Sequence, residues 1–175
     1  MRTLITFICL SLAFCCLGQE PVKSKPMKLI YTLPQGWVAE EFGGKSPWED
    51  AGNALCHCSG IVFSRQHKDG KMKVVIYPST VAGLDSAKRN AVGNLRFEDV
   101  QKYEKGKTKH YSFERKRSSF MEMPGGKKSY DAMRYYIKAG DHFYIMYAWQ
   151  ESSSALNSTS EKELYEMVNA IELMD

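Results

Sequence analysis

The sequence predicts an α+β fold: an antiparallel sheet flanked by helices and closed by a C-terminal amphipathic helix. Three observations carry this expectation. Between Thr108 and Glu151 the apolar residues recur with period two and are interrupted by glycine turns. An Asp69-Gly70 pair separates two runs rich in β-branched residues, which marks a hairpin. Ser160 with Glu163 forms a capping-box signature ahead of Leu164, Met167, Val168, Ile171 and Met174, which recur at helical spacing.

Residues 1–18 read as a cleavable export signal, with Arg2 followed by an apolar run from Leu4 to Leu17 that is broken only by Thr6 and Ser11. Small residues at Cys16 and Gly18 suit a signal peptidase, so Gln19 becomes the new N-terminus. The run is about 15 residues, short of the roughly 20 that span a bilayer, and no transmembrane helix is expected in the mature chain. Lipid attachment at Cys15 or Cys16 ranks behind soluble export, because Phe14 and Cys15 stand where such processing prefers a small residue. Residues 19–27, with Pro21, Lys23, Lys25 and Pro26, read as a tether, and residues 28–175 as one α+β domain. A chain of this size buries enough surface to fold without staples. Only Cys56 and Cys58 remain after cleavage, so a disulfide framework is excluded.

Within the domain, Lys28 to Leu33 is a strand ending in the turn Leu33-Pro34-Gln35-Gly36, after which Trp37, Val38 and Phe42 continue the core. Gly43 to Asn53 is a loop. Ile61 to Phe63 and Met72 to Tyr77 form the hairpin. Leu84, Ala87, Ala91, Val92 and Leu95 define a middle helix, and Asp99 is placed to start a further helical turn. Tyr111 and Phe113 then share one face of a strand, Pro124-Gly125-Gly126 turns the chain, and Ser129 to Lys138 runs back. In His142 to Glu151, Phe143, Ile145, Tyr147 and Trp149 alternate with Tyr144, Met146 and Ala148, so both faces are apolar and the strand is central. A serine-rich loop from Ser152 to Thr159 precedes the last helix.

Tyr31-Thr32-Leu33-Pro34-Gln35-Gly36-Trp37, the middle helix, the meander with its Gly-Gly turn and the serine-rich loop before the final helix together resemble the PsbP-like superfamily over roughly Lys28 to Leu173. That resemblance implies an α-β-α sandwich and a non-catalytic assembly, adaptor or binding role, in several members within bacterial envelopes. It brings no catalytic residue with it, since a fold does not fix a function.

Net charge is +4, falling to +3 once Arg2 is removed. The basic residues concentrate between Lys102 and Lys138, where Arg115-Lys116-Arg117, with Lys127 and Lys128 beyond the turn, form a surface able to meet an acidic partner. The plainer account is that charged strands blunt a sheet edge against aggregation, and it is the stronger of the two. Trp48, in a polar loop, is a candidate contact anchor, although such a residue often folds back onto the core. Cys56-His57-Cys58 offers soft and borderline ligands suited to copper or zinc, with a fourth drawn from His67, His110 or His142. On an extended strand the two thiols and the imidazole point to opposite faces, so chelation requires a bend. The plainer accounts are buried thiols or a strained, redox-labile disulfide.

The chain lacks a nucleophile elbow, a His-Glu-x-x-His helix, a phosphate loop and a dinucleotide fingerprint, and four scattered histidines define no catalytic spacing. Export and the lack of aromatic interleaving in the basic run argue against nucleic acid as a partner. The sequence therefore predicts a secreted or periplasmic protein that is not an enzyme and needs no cofactor. It binds a protein or other envelope macromolecule, with an immunity protein as a specific form. The alternative is a metal or redox protein built on Cys56, His57 and Cys58.

Overall fold

The computed structural model describes residues 19–43, 59–80, 95–99, 103–122, 129–151 and 156–174, and among these residues two antiparallel sheets and one helix organise the chain. The large sheet contains β3 (Val38–Phe42), β4 (Gly60–His67), β5 (Gly70–Ser79), β6 (Leu95–Asp99), β7 (Glu104–Lys107), β8 (Ser112–Glu122), β9 (Ser129–Ala139) and β10 (His142–Glu151). Its strand order is β3-β4-β5-β10-β9-β8-β6, with β7 sharing the outer edge of β8. The small sheet has the order β1 (Val22–Ser24), β2 (Leu29–Tyr31), β11 (Ile171–Leu173). The helix, α1, spans Ser158–Asn169.

The expected hairpin and meander form because their turns tolerate the required backbone. His67 pairs with Gly70 across the Asp69 turn, and Ala139 pairs with His142 across Gly140, whose φ of +56° is one that side-chain-bearing residues avoid. β10 lies at the centre of the large sheet, and its residues from Tyr144 to Ala148 are buried on both faces, as its unbroken apolar pattern requires.

One face of the large sheet carries Ile61, Phe63, Met72, Val74, Ile76, Met133, Tyr135, Ile137, Tyr144 and Met146 into a single core. Leu164, Met167 and Val168 of α1 pack into that core at i, i+3 and i+4, and Leu29, Tyr31 and Ile171 enter it from the small sheet. Each such side chain contributes roughly 1.5–3 kcal/mol on full burial. The start of α1 is locked onto the sheet by Arg117. Its guanidinium donates to Glu161 Oε1 at 2.7 Å and to both Asp131 Oδ2 and the Leu156 carbonyl at 3.0 Å. Arg65 adds a contact to Glu163 at 3.3 Å.

Several expectations shift. Part of the segment read as a tether is strand β1, and Ser24 and Met27 are buried, because these residues pair with and pack against β2. The cap of α1 is Asn157, whose side chain accepts from Ser160 N at 2.9 Å; Ser160 itself is buried and donates to Gln150 Oε1 at 2.6 Å. The helix ends at Asn169, and Ile171 to Leu173 pair with β2, an edge that outcompetes a further helical turn. Leu95 to Asp99 are strand β6 against β8, not helical. Val38 is 61% exposed on the edge strand, outside the core. Residues 84–94 of the expected middle helix lie outside the described residues, so the layering seen is sheet-dominated with α1 as its helix. Among the described residues no helix is long and apolar enough to cross a membrane.

Candidate functional site

The small sheet turns alternate side chains inward and outward. Leu29, Tyr31 and Ile171 are buried, so their neighbours Ile30 and Glu172 face away from the core. The register sets Lys23 opposite Ile30 on one side and Glu172 opposite Ile30 on the other, giving a transverse row of cation, aliphatic and carboxylate. This row floors a cleft of about 520 Å³, with Thr32 at one end and Lys109, His110 and the C-terminal end of α1 as its wall.

The wall is stiff for identifiable reasons. Thr108 N donates to Tyr111 O at 2.8 Å, and the Thr108 hydroxyl oxygen accepts from His110 N at 3.1 Å and Tyr111 N at 3.0 Å, closing a tight turn. Three further bonds fasten that turn to α1. Lys109 N donates to Asn169 Oδ1 at 3.2 Å, Tyr111 OH to Val168 O at 2.7 Å, and Tyr165 OH to Lys107 O at 3.0 Å. Burial pushes the Tyr111 phenol well above its ordinary range, with Tyr135 and Tyr165 adding to the effect, so it stays a protonated donor. In β7, a Cβ on Gly106 would stand 2.6 Å from the Phe113 ring, so glycine is what lets the chain approach this closely just before the wall begins. The floor is tied to the same helix end through Thr32 N and Ala170 O at 3.1 Å.

Several cations of the large sheet are matched to carboxylates. Lys73 pairs with Glu151, Arg65 with Glu163, Arg115 with Glu104 at 2.9 Å, and Arg117 with Asp131 and Glu161. Lys23 and Lys109 have no ion pair among the described residues and are both exposed. His110 Nδ1 lies 3.7 Å from Glu172 Oε2, so the one carboxylate of the row is partnered to the wall.

The residues singled out in the sequence are distributed differently. Arg115 and Arg117 lie on the sheet face that bears α1, whereas Lys116 points to the opposite face, where it is only 8% exposed and its Nζ sits 4.8 Å from the Tyr103 ring centroid. Trp48, Cys56, His57, Cys58, Lys127 and Lys128 lie outside the described residues. The three histidines considered as further metal ligands occupy separate settings: His67 beside Asp69 and Gln150, His110 in the cleft, and His142 2.8 Å from Lys28 Nζ. No group of three His, Cys, Asp or Glu side chains among the described residues is placed to hold a metal. Sequence reasoning misses the cleft, since Lys23 falls in a segment that reads as a tether and Glu172 in one that reads as helix. The alternations Leu29-Ile30-Tyr31 and Ile171-Glu172-Leu173, with Thr108 as a turn former, are the signals that could have found it.

No family model and no curated protein matches the sequence. Solved structures do. A crystal structure from Bacteroides thetaiotaomicron VPI-5482 shares 10% identity over 91% of this chain with a TM-score of 0.50, and this chain spans half the length of that one. The solution structure of cyanobacterial PsbP (CyanoP) from Synechocystis sp. PCC 6803 shares 11% identity over 89% of this chain and 92% of its own, with a TM-score of 0.49. The likeness is one of fold. PsbP, the namesake of the resemblance in the sequence, is thus among the solved structures that this chain is similar to, and no ligand or partner follows from that similarity.

Proposed function

We propose that this chain is an exported, non-catalytic binding protein of the bacterial envelope that engages a macromolecular partner at the cleft over its small sheet. The single observation that carries the reading is the convergence of Lys23 and Lys109 on a cleft whose wall is fixed in place by hydrogen bonds to α1. A surface ordered in advance loses less entropy on association, so few contacts suffice for useful affinity. Export is supported by Arg2 and the apolar run that follows it, and neutralisation of a toxin acting in the envelope is the specific role that fits such an address.

Thr32 is exposed at one end of the cleft, and Thr32→Trp fills the space without touching the core. Affinity capture from envelope extracts of the source organism, with wild type and this variant side by side, tests the reading. A protein retained by wild type and lost with Thr32→Trp supports it. Identical recovery by both, or material found in the cytosol with residues 1–18 still attached, contradicts it.

A further inference from the structure

We infer that the cleft takes an acidic, extended segment of a partner protein, its carboxylates held by Lys23 and Lys109 and an apolar side chain resting on Ile30. The inference rests on the binding reading above and adds the chemistry of the partner. Lys23 and Lys109 arrive from distant parts of the chain at one cleft, exposed and without an ion pair among the described residues; Lys68, Lys71 and Lys105 are also exposed but do not line that cleft, and Arg65, Lys73, Arg115 and Arg117 are each matched to a carboxylate of this chain. Two positive charges that line one cleft without an ion pair favour a negative ligand.

The row across the floor adds a direction. Adjacent strands stand roughly 4.8 Å apart, so Lys23 on β1 and Glu172 on β11 are separated by about 10 Å at the backbone, with Ile30 between them. An extended chain rises about 3.3 Å per residue, and a segment laid along the row places residues about three positions apart over the two ends. Carboxylates therefore belong over Lys23 and, on the wall beyond the other end of the row, over Lys109, where they are attracted. On the floor between them Glu172 repels carboxylates and favours a neutral or basic residue. A uniformly acidic ligand binds against that repulsion, and removing the Glu172 charge strengthens its binding.

Fluorescence anisotropy of a labelled hexaglutamate peptide, at low ionic strength and again at 0.3 M NaCl, tests this with the mature chain. Wild type is expected to bind, with affinity falling as salt screens the contacts. Lys23→Gln and Lys109→Gln are each expected to weaken binding about tenfold, Glu172→Gln to strengthen it two- to threefold, and Lys68→Gln, an exposed lysine in the β4–β5 turn, to leave it unchanged. Three results would overturn the inference: no binding by wild type, equal weakening by Lys68→Gln, or binding to phosphatidylglycerol vesicles without binding to hexaglutamate. Loss of partner capture in Thr32→Trp together with absence of hexaglutamate binding would sink the acidic segment and leave the cleft reading standing.

Discussion

Arg117 and Lys109 come from one basic stretch of sequence and have opposite fates. Arg117 is 21% exposed at its side chain and ties the start of α1 to the sheet through Asp131, Glu161 and the Leu156 carbonyl. Lys109 is exposed, anchored through its backbone to Asn169, and lines a cleft. The first cation is part of how the protein stays folded, and the second is available to something else. Positive charge in a sequence therefore says little about binding until its carboxylate partners are known.

Alkaline pH breaks the structural side of this contrast most completely. Burial pushes Tyr77 up to about 12, and Tyr135, beneath Arg115, also up to about 12 despite that cation's opposing effect. Burial raises Tyr111, Tyr136, Tyr144 and Tyr147 as well. These phenols stay neutral when folded and ionise near 10 when unfolded, so their contribution is fully present below pH 10 and is lost as pH rises towards 12. Absorbance at 295 nm should rise cooperatively with loss of near-ultraviolet circular dichroism in that window. Phenolate appearing at its ordinary pH with the dichroism intact would count against the packing described.

Next in size is Arg117→Ala, which leaves Asp131 without its charged donor and should cost about 2–3 kcal/mol in urea unfolding. Hexaglutamate affinity should be unchanged, because the lock lies at the opposite end of α1 from the cleft. A stability loss under about 0.5 kcal/mol would return Arg117 to the pool of cations available for contact. Tyr111→Phe removes the bond to Val168 O and should cost about 1 kcal/mol while weakening hexaglutamate binding, as the wall loosens. Normal affinity in that variant would show that the wall's rigidity is irrelevant. Lys23→Gln completes the contrast, with unfolding within about 0.5 kcal/mol of wild type. A larger loss would make Lys23 structural.

Much of the large sheet was legible from residues. Asp69-Gly70, Gly140-Asp141 and the doubly apolar run from His142 encode turns and burial locally, and the structure places the hairpin, the meander and the central strand there. The docking of α1 was legible for the same reason, in its apolar stripe. The ends of α1 were not, because Asn157 and Ser160 both fit a cap and only the bond from Ser160 to Gln150 decides between them. The small sheet was hidden more deeply. β1 and β11 have three residues each; β1 pairs with its sequence neighbour β2, but β11 pairs with β2 across nearly the whole chain, a contact with no local signature. The cleft depends on that pairing, so Lys23, Ile30 and Glu172 could not be brought together by periodicity alone.

The most direct test of the central claim is a two-dimensional amide NMR titration of residues 19–175 with hexaglutamate. Shifts concentrated at Lys23, Ile30, Lys109 and His110, with Arg115 to Arg117 undisturbed, are the predicted result. Shifts centred on Arg115 to Arg117, with the cleft amides unmoved, would contradict it.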